Sequence, residues 1–564
     1  MIERFRSQAL IAAAFSSIAL AACDGDDGTE PTELAAPTVT ATAQSPTSIA
    51  VSWNAVTSAT GYVVERAEGA TGGTFAQVAT PSGTSHTDTG LTPSTTYRYR
   101  VAATAGADRS AFSTEASAAT QAEVEQCPCA ATISADITAN RTLTADTVYT
   151  LQGFIRVANG ATLTIEAGTR IVGDFETLGS SLFVLRGARI RALGTAQSPI
   201  AFTSERPVGQ RQPGDWGGLI LIGNGIINRT HPVVLEGTEN FPEPLTYSAG
   251  TDNTDNSGEL HYVRVEFAGF ATATNAELNS FTFAGVGSGT QLDHLESLSG
   301  LDDSFEWFGG AVDAKYLVSY ESGDDHFDMS EGYQGRLQYL IAYQSRVLQP
   351  RSGAGNVSND PQGIENDGCE GASCPNGRAS TPLNIPMVAN FTLIGTGPGV
   401  LPGTTAGGVG MLLRRGTGGY YVNGVVARWP TAAIGLRDQA DTEPRVTAGD
   451  LVVRNILEAA NGTTFEGGTG RFTVDAATNA IVADAGQAAA LFTALPATPT
   501  QASDFDWTPV GGSAAASGGL QFFAGNLETK AGSFIAGTAF RGAAPPAGAA
   551  DANWWSGWTS YAAN

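Results

Sequence analysis

Two hydrophobic rhythms divide the chain. Between about Ala36 and Thr120, apolar and polar residues alternate in short runs parted by turn-forming residues. The alternation predicts strands at Ser48–Trp53, Gly61–Arg66, Phe75–Ala79, Thr96–Ala103 and Glu115–Thr120. Further on, short apolar runs return at a fixed interval. Thr162-Leu-Thr-Ile165-Glu-Ala-Gly168 comes back as Leu182-Phe-Val-Leu185-Arg-Gly187, with the glycines 19 apart. Phe281-Thr-Phe283, Phe305-Glu-Trp307 and Phe327-Asp-Met329 each open a unit, at spacings of 24 and 22. Leu292–Leu295, Ala314–Leu317 and Leu337–Leu340 each close one, at spacings of 22 and 23. Units of this length, built from short β segments and Gly-bearing turns, predict a solenoid of stacked parallel strands. A leucine-rich repeat signature is absent, and no helical period is evident. Each coil adds about 4.8 Å, so roughly 435 residues predict a rod of well over ten coils.

Within a strand, side chains alternate between faces. Phe281, Phe283, Phe305, Trp307, Phe327 and Met329 therefore point inward, and Thr282, Glu306 and Asp328 outward. The reading is all-β: a small sandwich followed by a right-handed parallel β-helix. In the small domain, Trp53 sits in an alternating run as a core residue would. Leu91-Thr-Pro-Ser-Thr-Thr-Tyr97-Arg-Tyr99-Arg-Val101 resembles the tyrosine corner of fibronectin type III domains, in which a Tyr hydroxyl bonds back to the chain near a Leu. That resemblance covers some 85 residues with Trp53 and Tyr62, and it implies a fold and a spacer rather than an activity. The adhesive-loop position holds Gly106-Ala-Asp-Arg-Ser110, without Arg-Gly-Asp.

Charge narrows the partners. With 55 acidic against 30 basic residues, the net charge is −25. A surface of that sign repels nucleic acid phosphates, so nucleic-acid binding is set aside, and it suits cations or basic partners. At the start, Arg4 and Arg6 precede an apolar run, Ala9–Ala22, too short to span a bilayer as a mature anchor. Leu20-Ala21-Ala22-Cys23 resembles the bacterial lipobox, which implies cleavage before Cys23 and lipidation of that residue. The expected organisation is a signal peptide over 1–22, a tether over 23–35, a fibronectin type III domain over 36–120, a linker over 121–135, and a β-helix with a C-terminal cap over 136–564. The expected location is the cell envelope, at the outer membrane or cell surface. Asp24 resembles an inner-membrane retention signal of some enteric bacteria, so the inner membrane is the alternative.

Four cysteines remain after Cys23. An even count in an exported chain favours disulfides. Cys369 and Cys374 suit a small closed loop, whereas Cys127 and Cys129 need a strained ring or bonds elsewhere. Zinc is the competing use, without a His near either pair in sequence.

The long region also resembles a widespread, poorly characterised family of exported bacterial β-helix proteins, many of them lipoproteins. The residues that carry this are Gly214-Asp-Trp-Gly-Gly-Leu-Ile-Leu-Ile-Gly223, Leu260-His-Tyr-Val-Arg-Val-Glu-Phe-Ala-Gly269 and Gly285-Val-Gly-Ser-Gly289. With them go Asp302-Asp-Ser-Phe-Glu-Trp-Phe-Gly-Gly310, Gly323-Asp-Asp-His-Phe-Asp-Met-Ser-Glu-Gly332 and Trp554-Trp-Ser-Gly-Trp558. The resemblance implies fold and secretion, not a mechanism.

One constellation carries candidate chemistry. Glu306 and Asp328 stack on neighbouring rungs, and Asp302-Asp303 stack with Asp324-Asp325 at the preceding turn, with Asp313, Glu321 and Glu331 nearby. Two like charges one rung apart repel by roughly 0.9 kcal/mol in water. Three readings follow: turn aspartates that accept backbone N–H bonds, a hard-cation site such as Ca²⁺, or a catalytic carboxylate set. The paired aspartates resemble those of polygalacturonase-type hydrolases. However, Asn253-Thr-Asp255 lies too far upstream for adjacent rungs, and the Gly-His-Gly element of those enzymes is absent. His326, amid carboxylates, is expected to have a raised pKa, as an acid–base group or as a surface residue paired to Asp. Lyases of this fold abstract a proton with Lys or Arg beside a calcium ion, a role open to Lys315 and Arg336, which otherwise read as solvated faces. Trp429, Trp507, Trp554, Trp555 and Trp558 suit either sugar stacking or the C-terminal cap. The function expected is a non-catalytic β-helix binding or adhesion module, for glycan or a surface partner. The alternative is a polysaccharide lyase or glycoside hydrolase, marked by a groove with a basic residue facing the acidic patch.

Overall fold

The computed structural model describes residues 34–121, 129–230, 232–241, 243–273, 276–397, 408–468, 481–484, 487–549 and 551–561. The expected signal peptide, Cys23, most of the tether and Cys127 lie outside the described residues. The chain divides into two compact units, Met1–Gln126 and Cys127–Asn564.

The first unit is a two-sheet sandwich. Val39–Ser45, Ser48–Trp53 and Ser85–Thr89 form one antiparallel sheet; Gly61–Glu68, Ala76–Ala79, Thr96–Ala105, Asp108–Arg109 and Ala116–Ala119 form the other. Trp53 packs on Tyr62 with ring centroids 5.4 Å apart, over a core of Ile49, Val51, Val64 and Val101. The expected corner is present: the Thr92 N–H donates to the Tyr97 hydroxyl at 3.0 Å, beside buried Leu91.

The second unit is a parallel β-helix. One face is a nine-stranded parallel sheet running from Phe154–Val157 to Ala432–Leu436. A second face begins with two short strands per coil. These give way to longer ones over Gly258–Glu266, Gln291–Leu298, Asp313–Tyr320, Arg336–Tyr343 and Met387–Ile394. Each long strand bends where one residue takes a left-handed conformation: Tyr262, His294, Tyr316, Tyr339 and Asn390, with φ between 50° and 65°. Non-glycine residues enter that region at a cost. Here stacking of the first four rings, with centroids 4.2, 4.5 and 5.0 Å apart, helps to offset it.

The register matches the hydrophobic rhythm. Phe281 pairs with Phe305 and Phe305 with Phe327, while Phe283, Trp307 and Met329 form the next inward rung; all six are fully buried. Phe281 stacks on Phe305 at 4.9 Å and Phe305 on Phe327 at 5.4 Å. The disulfide Cys369–Cys374 is formed. Cys129 opens the strand Cys129–Ile133, is exposed, and carries no disulfide among the described residues.

Three expectations change. Among the described residues one face stacks nine strands, with an isolated parallel bridge beyond each end, fewer than the residue count predicts, because long insertions and the last part of the chain lie outside the coils. A ten-residue helix, Gln439–Ala448, interrupts the final coils although no helical period marks it. Most consequentially, the C-terminal segment does not only close the end of the rod. It runs along the flank of the second face: Arg264 donates to the Trp558 carbonyl at 3.2 Å, Tyr343 to that of Pro496 at 2.8 Å, and Asn423 to that of Leu520 at 3.2 Å. Trp507, Trp555 and Trp558 are buried there against Tyr320, Tyr343 and Phe505. Trp429, by contrast, belongs to the interior of the coils. Trp554 is buried too, packed on Tyr316 at 5.1 Å and donating to the Ala543 carbonyl, and none of these rings offers a flat surface to a sugar.

Candidate functional site: an acidic cleft

On the nine-stranded face, the outward rung next to the aromatic stack reads Thr282, Glu306, Asp328, Glu365, Leu412. Three carboxylates thus follow one another at the strand spacing of about 4.8 Å. The preceding turns add Asp302, Asp303, Asp324 and Asp325. Loops carrying Glu236, Glu277 and Asp360 wall the resulting cleft, whose volume is about 670 Å³. Acidic groups of this kind, left exposed, would spread into water. Here Asp303, Glu306, Asp325 and Glu365 are all under 9% exposed.

Turn bonding accounts for part of the arrangement. Asn279, Asp303, Asp325 and Gln362 occupy equivalent turn positions. The Asp303 N–H donates to Asn279 Oδ1 (3.1 Å), the Asp325 N–H to Asp303 Oδ1 (2.9 Å), the Gln362 N–H to Asp325 Oδ1 (2.5 Å), and the Val409 N–H to Gln362 Oε1 (2.9 Å). Each side chain satisfies a backbone group one coil on. Neutral Asn and Gln perform the same service at the ends of the ladder, so the bond does not require the charge at the two middle positions.

The charge is unbalanced. Burial, then the neighbouring carboxylates, pushes Asp324 up to about 7 and Asp328 up to about 8. The same causes lift Glu236 to about 8 and raise Asp302, Asp303, Glu306, Asp325 and Glu365 well above the usual carboxylate range. Oxygens of three overlapping groups lie within 4.8 Å of one another: Asp302, Asp303 and Asp324; Asp303, Glu306 and Asp328; Asp325, Asp328 and Glu365. Asp328 Oδ1 is buried without a hydrogen-bond partner. An all-carboxylate donor set with an orphaned oxygen fits a hard cation, and these clusters can hold a metal ion.

One basic residue lines the cleft. Arg414 pairs with Glu365 and, through Nε at 2.8 Å, with Asp367. Its fork is thereby directed at two carboxylates rather than at open space.

The sequence model of the pectate-lyase-like β-helix domain matches residues 135–501, and that of the fibronectin type III domain residues 34–119. The chain belongs to the pectate-lyase-like β-helix family. No curated protein matches it. Similar solved structures include an Fn3-like protein from Clostridium thermocellum, 32% identical over 15% of this chain and 92% of that one, TM-score 0.15. The FN5 domain of Drosophila Lar is 26% identical over 16% and 97%, TM-score 0.14. A β-1,2-glucanase from Parabacteroides distasonis is 22% identical over 17% of this chain and 14% of its own, TM-score 0.16.

All six aspartates and glutamates expected from the sequence converge in the cleft of this pectate-lyase-like β-helix. Several neighbours do not. Asp313 pairs with Arg336, Glu321 accepts from Ser345 and Tyr561, and Glu331 is held by Arg229 and Tyr247, each outside the cleft. Arg336 is accordingly paired rather than solvated, and Lys315 lies half-buried with Nζ 4.6 Å from the Phe534 ring centroid. Asn253 and Asp255 accept backbone N–H bonds from Ile226 and Asn224, in a separate loop.

His326 overturns its expectation. Its ring turns inward, 1% exposed, with Nδ1 2.5 Å from Ser319 Oγ. Burial pushes its pKa down to about 3, the reverse of the rise that proximity in sequence to Asp324 and Asp325 suggests. It is a neutral core residue, not a surface ion-pair partner.

Proposed function

We propose that this protein is a cell-envelope lipoprotein, anchored through Cys23, whose β-helix binds glycan or a surface partner without catalysis, with a divalent cation such as Ca²⁺ held in the acidic cleft. The overlapping carboxylate groups, within 4.8 Å and on neighbouring rungs, carry the reading. They repel one another unless protons or a cation intervene, and a cation bound there also presents open coordination positions to the hydroxyls or carboxylates of a sugar. The residues available for catalysis argue for binding: Arg414 is engaged by two carboxylates, and His326 is buried and neutral.

A glycan array probed with and without Ca²⁺ tests the reading. Binding that requires Ca²⁺ and is lost in Asp303→Asn/Asp325→Asn supports it; glycan binding indifferent to chelator removes the cation from the mechanism. Membrane partitioning tests the anchor, and Cys23→Ala is expected to abolish it.

A second reading is a polysaccharide lyase or glycoside hydrolase. Asp324 and Asp328, held partly protonated near neutrality, favour it, since a carboxyl in that state can act as a general acid. Release of reducing ends or unsaturated oligosaccharides by the wild type, lost in Asp328→Asn, decides for the enzyme.

A further inference from the structure

The turn that carries Asp302 and Asp303 also lines a second concavity, of about 510 Å³, whose charge has the opposite sign. Its lining includes Arg206, Arg211, Arg346, Phe267, Ser299 and Leu348, and no carboxylate. In a chain where acidic residues outnumber basic ones 55 to 30, three guanidinium groups gathered around one hollow need a counterweight.

The fold supplies part of it, from the buried carboxylates of Asp215, Glu266 and Glu321 outside the lining. Arg206 donates to Gln212 Oε1 at 3.1 Å and lies over the Phe175 ring at 4.6 Å; its carboxylate neighbour, Asp215, stands off at 3.8 Å. Arg211 donates from Nε to the Arg206 carbonyl at 2.9 Å, with Glu266 at 3.8 Å. Arg346 acts on the buried Glu321 only through its field, which lowers that carboxyl's pKa, and its own buried Nε has no acceptor. Ser299, 1% exposed and left-handed at φ 53°, has a hydroxyl without a partner. Burial, then the field of Arg170, outweighs the pull of Glu266 and Asp215 and pushes the Arg211 pKa below the arginine range.

We propose that this pocket binds an oxyanion group, a carboxylate, sulfate or phosphate, gripped by Arg346 and Arg206 with Ser299 as an additional donor. Planar guanidinium forks match such groups in geometry as well as charge. The site is separate from the acidic cleft but adjoins it. Ser299 and Asp302 are three residues apart in one turn, a reach of about 10 Å at most. The loop that begins at Arg346 goes on to wall the cleft with Gly353 to Asp360. Two sources share the chemistry: a free inorganic anion, or the acidic substituent of a glycan.

Calorimetric titration of the full chain with sodium sulfate, against sodium chloride at matched ionic strength, tests the pocket directly. Saturable one-site binding is expected. It should weaken at least tenfold in Arg346→Gln and be restored only partly in Arg346→Lys, which keeps charge but loses the fork. Asp303→Asn/Asp325→Asn should bind sulfate as the wild type does, which separates this site from the cleft. Sulfated and uronic oligosaccharides form the second arm. If sulfate competes with them, the glycan is the natural occupant; if sulfate binds and they do not, a free anion is. A wild type that binds sulfate, phosphate and uronate no better than chloride overturns the proposal and leaves the arginines as loop braces, as does undiminished sulfate binding in Arg206→Gln/Arg346→Gln.

Discussion

Asp303 shows how much one side chain can carry. One oxygen accepts the Asp325 N–H on the next coil, and the carboxylate belongs to two of the three clusters. The two roles come apart by substitution. Asp303→Asn keeps a carbonyl oxygen for the turn bond and removes a charge, so in metal-free buffer the protein should melt at or above the wild-type temperature. Asp303→Ala leaves the Asp325 N–H unsatisfied and should cost about 1–3 kcal/mol. Calorimetry on the pair measures the difference; equal melting of the two variants would remove the turn bond from the account. The same scale marks a limit of the sequence. His326 stands between Asp325 and Asp328, and nothing in its neighbours says that its ring turns away from them. The alternation that places Phe327 inward is broken by the turn immediately before it. Only the three-dimensional course of that turn directs the ring to Ser319.

At the scale of strands, legibility follows from repetition. Phe281, Phe305 and Phe327 recur at near-constant intervals, so their shared face and the outward position of Glu306 and Asp328 can be read directly. Glu365 belongs to the same outward rung, yet Phe327 is followed on the next coil by Ile364, after a long loop that breaks the period. The loop that hides Glu365 from the sequence also supplies the wall of the cleft. Arg414, a further coil along, is lost for the same reason. The C-terminal flank was partly legible, since aromatic density announces burial but not the surface it covers. The inward stack should therefore dominate stability. Phe305→Ala and Phe327→Ala are each expected to cost about 3–5 kcal/mol through the cavity left behind. Glu306→Gln, outward on the neighbouring position, should be neutral or stabilising without metal because repulsion is relieved. Urea unfolding of the second unit, monitored by tryptophan fluorescence, checks the ranking. Similar midpoints for the three variants would contradict the register.

For the molecule as a whole, the cleft makes stability depend on pH in a way that a cation should reverse. Its carboxylates have folded pKa values above their unfolded ones, with Asp324 lifted to about 7 and Asp328 and Glu236 to about 8. From the ordinary carboxylate range upward, the folded state holds protons that the unfolded state has released, so stability falls as pH rises toward those values. His326 acts in the opposite sense around and below the ordinary histidine value of 6.5. There the unfolded chain takes up a proton that the buried ring, at about 3, refuses, and stability falls as pH drops. From about pH 7.5 the histidine is almost wholly neutral in both states, so its opposing slope has faded. In chelator, the melting temperature should therefore decline from about pH 7.5 to about pH 8.5. A bound divalent cation displaces the same protons, so its stabilisation should grow over this interval, reaching about 2.7 kcal/mol at a hundredfold excess over Kd. Outside the cleft, the buried Glu296, Glu321, Glu331 and Asp215, also raised, and Lys530, lowered to about 8 and acting in the opposite sense, leave a residual slope that Ca²⁺ does not touch. Asp303→Asn/Asp325→Asn should show both a shallower decline in chelator and no response to Ca²⁺. Parallel pH profiles for the wild type in Ca²⁺ and in chelator would mean that protons alone balance the cleft, and the cation would have to be abandoned.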